Sequence, residues 1–542
     1  MQMKKTDNKS YGKQFFSGVA VLALSTFIVK VIGLFYKIPM MAYLGAEGMG
    51  YFNSAYEIYS LFFVIATTGI PVAISILVAE NKAQKRFANI RKIYKISLIT
   101  LGLLGFIGTF FMSAFHKQFA SMINNDAAAY SILAISPTVL LVCLSSSIRG
   151  YFQGNQIMIP TAVSQVIEAL GKLLLGLGFA VIAINKGYSI SEVAAFAVLG
   201  VSIGVALSLL YLVIYKLLYK IKVSNKESLS SFVETNSTII KQLFTIAIPI
   251  TISSTILSLT KIIDMTMILG RLNAIGYSQT VANSIYGSYS TMAVSIYNLP
   301  ATLITAVALP LVPMLASAIE SNDRIKERSV IASSIKITAL ISFPTGLGIS
   351  VFSKSILKLL FSSQTEEIEY IAPLLSLLGM SIFLSSMITI TNSILQAYKQ
   401  VNKPIISMIF GVSVKFTLSF ILIGIPSLNI YGAPISTFFC TLVIVVINLY
   451  YITKNSGRIT SVTQLFIKPF ISAFLSVTIG AAFFVFLSNI SDSRSNILLV
   501  ILVVAIVYVV AIIKLKVINK EEILMFPKGD LICKFLNKIH LM

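Results

Sequence analysis

Apolar runs of about twenty residues or more recur along this chain from near its start to residue 516, and few charges interrupt them. A bilayer core about 30 Å thick takes roughly 20 apolar residues as a helix. Lipid offers no water to satisfy peptide groups, so segments this long must bond their own backbones as helices. Composition agrees: 56% of the 542 residues are hydrophobic and 11% charged, against roughly 25% charged in an ordinary soluble domain. The expectation is an all-α, polytopic membrane protein of about fourteen transmembrane helices. The segment at 281–318 is overlong and holds Pro300, Pro310 and Pro313, so a kink or break is expected there.

Loop charge sets direction, because cytoplasmic connections retain lysine and arginine. With the N-terminus inside, alternate connections carry most of the 42 basic residues and the loops opposite carry few. Both termini are therefore expected in the cytoplasm. The apolar run from Phe15 to about Met40 is too long for a signal peptide's core of roughly 7 to 15 residues, and reads as an uncleaved first helix. An internal echo divides the rest. Residues 148–175 resemble 394–418, and Gly50-Tyr51 and Pro71 echo Gly276-Tyr277 and Pro300. The expected order is a cytoplasmic N-terminus (1–14), an N-lobe of six helices (15–215), a linker (216–240), a C-lobe of six helices (241–453), two final helices (454–516) and a cytoplasmic tail (517–542). A site between pseudo-symmetric lobes is common in transporters. The tail mixes lysines with Ile, Leu and Phe, and reads as either an amphipathic segment on anionic lipid or a solvated end.

Several functions are excluded. The net charge of +22 is spread over short loops, not gathered on one polar face, which argues against nucleic acid. Cys143, Cys440 and Cys533 lie far apart, and His116 and His540 have no partner at ligand spacing, so no disulfide framework or metal site is expected. No nucleotide-cradling GxxxxGK[ST] occurs. The outer loops are short, without the acidic insertions that metal-assisted sugar chemistry needs. A transporter without cofactors, not an enzyme, is expected.

Gly45-Ala-Glu-Gly-Met-Gly-Tyr51, Gly69-Ile-Pro-Val-Ala-Ile-Ser-Ile-Leu-Val-Ala-Glu80 and the stretch Asn298 to Pro313 resemble the oligosaccharide flippase family, which holds proteins like stage V sporulation protein B and the lipid II flippases, within the multidrug/oligosaccharidyl-lipid/polysaccharide superfamily. The resemblance covers most of the chain. It implies two lobes that alternate access across a bacterial cytoplasmic membrane, around a cationic cavity for the pyrophosphate of an undecaprenyl-linked cell-wall precursor, lipid II in the first place. It also implies membrane lipids, a monovalent cation and the cell-wall synthesis machinery as partners. Lys30 stands where the lipid II branch carries a basic residue, and Lys37 stands one residue from its second. The arginine expected before Leu299-Pro300 is missing, so the anion site is built differently here.

The charges inside the membrane stand on their own. An ionisable group at a helix centre costs about 2.5 to 3.5 kcal/mol on insertion scales. Thr26, Lys30, Gly33 and Lys37 share one helical stripe, which must meet a wet cavity or headgroups. The lysines are candidate pyrophosphate contacts, with snorkelling as the alternative for Lys37. Glu57 shares a face with Asn53 and Ser60, and either pairs with Lys30 or fixes packing. Glu168 and Lys172 are four apart, acid first, the favourable order for a pair. Lys415, the counterpart of Lys172, has Gly411 in place of the acid and needs an anion from elsewhere. Lys261 and Asp264 stand at i and i+3, with Arg271 two turns beyond Asp264. Asp264 is the candidate ion-coupling carboxylate, or the partner of Lys261. Arg149 reads as an ordinary positive-inside residue. The four core lysines Lys30, Lys172, Lys261 and Lys415 against three acids are nearly balanced. A cation-coupled multidrug exporter, a flippase for another lipid-linked polysaccharide unit and a non-transporting scaffold therefore stay open.

Overall fold

The structure is a computed structural model that describes residues 3–219, 234–457, 462–490 and 494–517. The tail beyond 517 and most of the linker lie outside the described residues. Secondary structure among the described residues is helical throughout, without strands. The chain gathers into two compact units, Met1–Thr291 with Ser419–Ile430, and Met292–Leu418 with Tyr431–Met542.

The first unit begins with α1, Met3–Thr67, 65 residues long. At 1.5 Å per residue an unbroken helix of that length would reach about 100 Å, more than three bilayer cores. It is broken at Gly45, where φ is 64° and ψ −174°. Glycine takes that positive φ without a Cβ clash, and it separates the first two apolar runs of the sequence. There follow α2 (Gly69–Ala83), α3 (Phe87–Ala114), the short α4 (His116–Met122) and α5 (Ala129–Ile135), then α6 (Pro137–Gly154), α7 (Ile159–Gly171), α8 (Leu177–Asn185) and α9 (Ile190–Leu218). A Ser189/Glu192 capping box starts α9, with the Ser189 amide donating to Glu192 Oε2 at 2.9 Å. Beyond the linker come α10 (Asn236–Ala274) and α11 (Gln279–Ser288).

Between α7 and α8 the chain makes one π turn, Lys172–Gly176. Glycines press this turn onto α9. A Cβ on Gly200 would fall 2.2 Å from Gly176 Cα, and one on Gly171 would fall 2.5 Å from Gly204 Cα. Gly200 and Gly204 are four apart, the small-residue spacing that lets membrane helices approach backbone to backbone. Lys172 is the first residue of the turn, so this contact sets where its side chain starts.

The second unit holds α12 (Val294–Glu320), α13 (Arg324–Val351), α14 (Ser353–Leu360), α15 (Thr365–Ala397), most of α16 (Asn402–Ile423), α17 (Gly432–Ser456), α18 (Lys468–Ile490) and α19 (Asn496–Lys514). α15 is its centre, packed against α12, α13 and α17. Polar side chains fix that packing: Asn448 Nδ2 donates to Thr391 Oγ1 at 3.0 Å and to Asn392 Oδ1 at 2.8 Å, while Ser407 Oγ donates to Asn448 Oδ1 at 2.6 Å. The final pair docks through Phe352, Val477, Ile497 and Val500, and the Tyr508 hydroxyl reaches the Leu340 carbonyl of α13 at 2.8 Å.

Twelve helices among the described residues are long and apolar enough to cross a bilayer. Fourteen crossings require the 60-residue stretch Leu24–Ala83, counted once here, to cross twice, and 281–318 to cross as well. Across 281–318 the backbone stays helical, through a π turn at Tyr289–Ala293 and past the prolines, so the chain is not broken there.

Gly200→Leu should lower stability by about 1 to 3 kcal/mol or more, because the α9 contact has no space for a side chain. Thermal unfolding of the purified protein in detergent measures it, and a transition temperature equal to the wild type's would refute the tight contact.

Candidate functional site

In the first unit the charges foreseen in four separate helical segments converge. Lys30 lies in the electrostatic field of Lys261 and Glu57, and Lys37 in that of Glu57, Lys261 and Lys30. Lys172 in turn lies in the field of Lys37, Glu168, Lys30 and Glu57. The kink at Gly45 returns α1 so that Glu57, twelve residues further on, joins the lysines of the same helix. Lys30 and Lys261 keep exposed side chains, while Lys37, Lys172 and Glu57 are half-buried.

Each charge is held differently. Lys37 Nζ reaches the Ser290 carbonyl at 3.4 Å. Glu57 accepts from the Ser60 hydroxyl at 3.1 Å, and no direct ion pair joins it to Lys30 among the described residues. Lys172 sits in an aromatic box: its ammonium is 4.2 Å from the Tyr56 ring centroid, 5.1 Å from Tyr36 and 5.8 Å from Phe52. Aromatic faces attract a cation by about 2 kcal/mol or more when desolvated, yet they leave its N–H donors available for another acceptor. Asp264 is half-buried on α10, and the buried Tyr286 of α11 feels both Asp264 and Glu57.

The pairing expected within α7 is replaced. Glu168 accepts from Arg149 Nη2 at 2.9 Å, and Arg149 also donates to Ser164 Oγ at 2.9 Å and Ser208 Oγ at 3.0 Å. Arg149 is therefore not an ordinary positive-inside residue. It is 7% exposed and ties α6 to α7 and α9. The physical reason is reach: a guanidinium offers several fixed donors, matching a carboxylate and two hydroxyls together, while Lys172 is drawn to the rings.

The other foreseen residues stand elsewhere. Arg271 stacks its guanidinium 4.2 Å from the Phe420 centroid, and Gly424 makes room for it, since a Cβ there would meet Nη2 at 2.1 Å. Lys415 belongs to the second unit, is 3% exposed, and donates to Thr437 Oγ1 at 2.7 Å.

Sequence reading missed two buried charges and a repeat. Lys336 of α13, next to a basic loop, is 7% exposed. Glu327 of α13 is 1% exposed and takes a short hydrogen bond from the Tyr398 hydroxyl and others from Arg324. The third is a repeat. Asn53-Ser-Ala-Tyr-Glu-Ile-Tyr-Ser60 and Asn283-Ser-Ile-Tyr-Gly-Ser-Tyr-Ser290 share Asn-Ser-x-Tyr-x-x-Tyr-Ser at one constant offset, a signal that the looser glycine and proline echo obscured. Each copy reaches the other's flank: Asn53 Nδ2 donates to Thr291 Oγ1 at 2.7 Å, Asn283 Nδ2 donates to the Glu47 carbonyl at 2.8 Å, and a Cβ on Gly50 would strike Asn283 Oδ1 at 2.3 Å.

Residues 15–319 match the polysaccharide biosynthesis protein family. The chain belongs to that family. Residues 249–421 also match the MatE family. The lipid II flippase MurJ of Bacillus subtilis (strain 168) is 26% identical over 433 residues, 78% of this chain and 79% of that protein. Stage V sporulation protein B of the same organism is 25% identical over 519 residues, 95% of this chain and 98% of that one. Among solved structures, lipid II flippase MurJ in an inward closed conformation aligns with a TM-score of 0.68 at 16% identity, covering 91% of this chain and 98% of the other. An inward-facing multidrug resistance MATE family transporter aligns at 0.64 with 15% identity, covering 80% and 94%. Like these proteins, this member of the polysaccharide biosynthesis family is a multi-pass membrane protein, as its twelve apolar helices require.

Arg149→Ala leaves the half-buried Glu168 without its guanidinium, and breaking a fully buried pair from one side, which costs about 3 to 5 kcal/mol, sets the upper bound on the loss. The variant should unfold at lower temperature in detergent, and adding Glu168→Gln should recover part of the loss. An Arg149→Ala protein as stable as the wild type would show that the pair has no structural weight.

Proposed function

We propose that this protein is a flippase that moves an undecaprenyl-pyrophosphate-linked cell-wall precursor, lipid II in the first place, across the bacterial cytoplasmic membrane by alternating access. The observation that carries the reading is the charge balance in the first unit. Lys30, Lys37, Lys172 and Lys261 share one electrostatic neighbourhood with Glu57, while Glu168 is neutralised by Arg149. Asp264 is the one further acid among the foreseen candidates, so positive charge prevails where the sequence alone reads near parity. A lysine meets phosphate as a point charge, and the box around Lys172 leaves its donors available to an anion. The relatives called lipid II flippase and stage V sporulation protein B support the substrate class.

The finer parts of the proposal follow the sequence: fourteen crossings, both termini cytoplasmic, two lobes of six helices, Lys415 and Arg271 as further basic contacts for the substrate, and Asp264 with Glu57 as ion-coupling carboxylates. A cation exporter, the reading favoured by Asp264 and Glu57, needs an excess of acid in the cavity.

Replacing Lys30 or Lys172 with glutamine should cut flipping about tenfold or more, the loss of one hydrogen bond to a charged group worth about 1.5 to 3 kcal/mol. The measurement is labelling of lipid II by an outer-face probe in cells that lack every other flippase. Full exposure in the double variant would overturn the lipid II reading, and loss of drug efflux with flipping intact would favour the exporter.

A further inference from the structure

The lysine- and arginine-rich end of the first unit carries a pocket that the flippase reading does not use. It lies where the first turns of α3 meet the last turns of α6 and α9, with a volume of about 320 Å³, lined by Arg91, Tyr94, Tyr151, Lys216 and Tyr219 with Phe87 and Ile90 at its base. The Lys216 ammonium stands 3.5 Å from the Tyr151 ring centroid and 5.0 Å from Tyr94. Tyr215 and Tyr219 stack beside it at 6.1 Å, and both pack on Phe152.

Two cations are brought together here with no carboxylate among the described residues that line the pocket. Their neighbours in the basic stretch are already engaged: Lys82 donates to the Asn155 carbonyl at 2.8 Å and Lys92 to the Glu234 carbonyl at 2.5 Å. Arg91 and Lys216 have no hydrogen-bond acceptor and no ion pair among the described residues. Each repels the other unless an anion lies between them. The tyrosines add hydroxyl donors around the same space, and a guanidinium beside an ammonium is a combination that recognises phosphate.

The surroundings fit a lipid better than a free ion. Around the end of α9, on the face turned about 100 to 160° away from Lys216, Ile214 is 47% exposed, Leu217 74% and Leu218 78%, an apolar surface suited to acyl chains. Tyrosine rings at a helix end mark the headgroup level of a membrane. We infer that this pocket binds the phosphate of an anionic membrane phospholipid, held by Arg91 and Lys216 against Tyr94, Tyr151 and Tyr219, with the acyl chains along the outer face of α9. Such a lipid anchors the ends of α3 and α9 at the polybasic loop, a role separate from the lipid-linked substrate at Lys30.

The test uses the full-length protein in detergent, with lipid binding counted by native mass spectrometry. Wild type should retain one dioleoylphosphatidylglycerol more tightly than dioleoylphosphatidylcholine. R91Q/K216Q should weaken the phosphatidylglycerol affinity about thirtyfold, since each basic side chain facing an anionic lipid contributes about a fivefold factor. Arg91→Gln alone, at an exposed side chain that folding does not need, should weaken it about fivefold, which keeps the test valid if the double variant is unstable. Lys30→Gln should leave it unchanged, so the result does not depend on the flippase reading. Equal binding by the wild type and the Arg91 and Lys216 variants would overturn the site, as would an equal loss in Lys30→Gln. Displacement of the lipid by excess inorganic phosphate would overturn the lipid assignment in favour of a free-phosphate site.

Discussion

An ammonium or guanidinium inside a membrane must be compensated locally, and the first unit is organised around that requirement. Arg149 is compensated fully, by one carboxylate and two hydroxyls that lie on two other helices. That arrangement fixes α6, α7 and α9 in register, and a residue so satisfied has little left to offer a ligand. Lys172 meets ring faces as its direct contacts, with Glu168 and Glu57 acting on it only through the field, and ring faces stabilise the charge without consuming its donors. The two cations share one framework and differ in what they can still do.

The framework makes this difference possible. Lys172 opens a π turn that glycines bring into backbone contact with α9, and the rings that receive it come from both sides of the Gly45 break: Tyr36 before it, Phe52 and Tyr56 after it. π turns are rare and recur at functional sites. Without the break, Tyr36 and Tyr56 would stand about 30 Å apart along one axis and could not share a cation.

Helix class, the multi-pass character and most of the unusual charges were legible because lipid enforces them one residue at a time. Hydropathy marks a crossing without reference to any other crossing, and an intramembrane lysine is conspicuous wherever it lies. Partner choice was not legible. Glu168 has Lys172 four residues away on its own helix, and local spacing favours that pair, but Arg149 wins through contacts that exist only after α6 and α7 pack. Lys336 and Glu327 were hidden for the opposite reason: they lie beside a basic loop, where hydropathy cannot separate a charge drawn into the helix bundle from one left outside. The Asn-Ser-x-Tyr-x-x-Tyr-Ser repeat was legible in principle, and the leading asparagine of each copy, Asn53 and Asn283, bonds the flank of the other.

Fold alone does not settle what such a protein carries, since the same architecture aligns with a lipid II flippase and with a multidrug transporter at similar TM-scores. The discriminating quantity is the sign of the charge that remains after internal pairs are removed. Counting residues from the sequence includes Lys415, which belongs to the second unit and bonds Thr437, and it includes Glu168, which Arg149 neutralises. It leaves out Lys37, whose amine stands with the other three lysines. Each of the two revisions at Glu168 and Lys37 raises the positive excess, and neither comes from similarity to another protein. A cationic drug would meet four like charges there, whereas a pyrophosphate would meet them as partners, and that asymmetry is a property of this chain's own side chains.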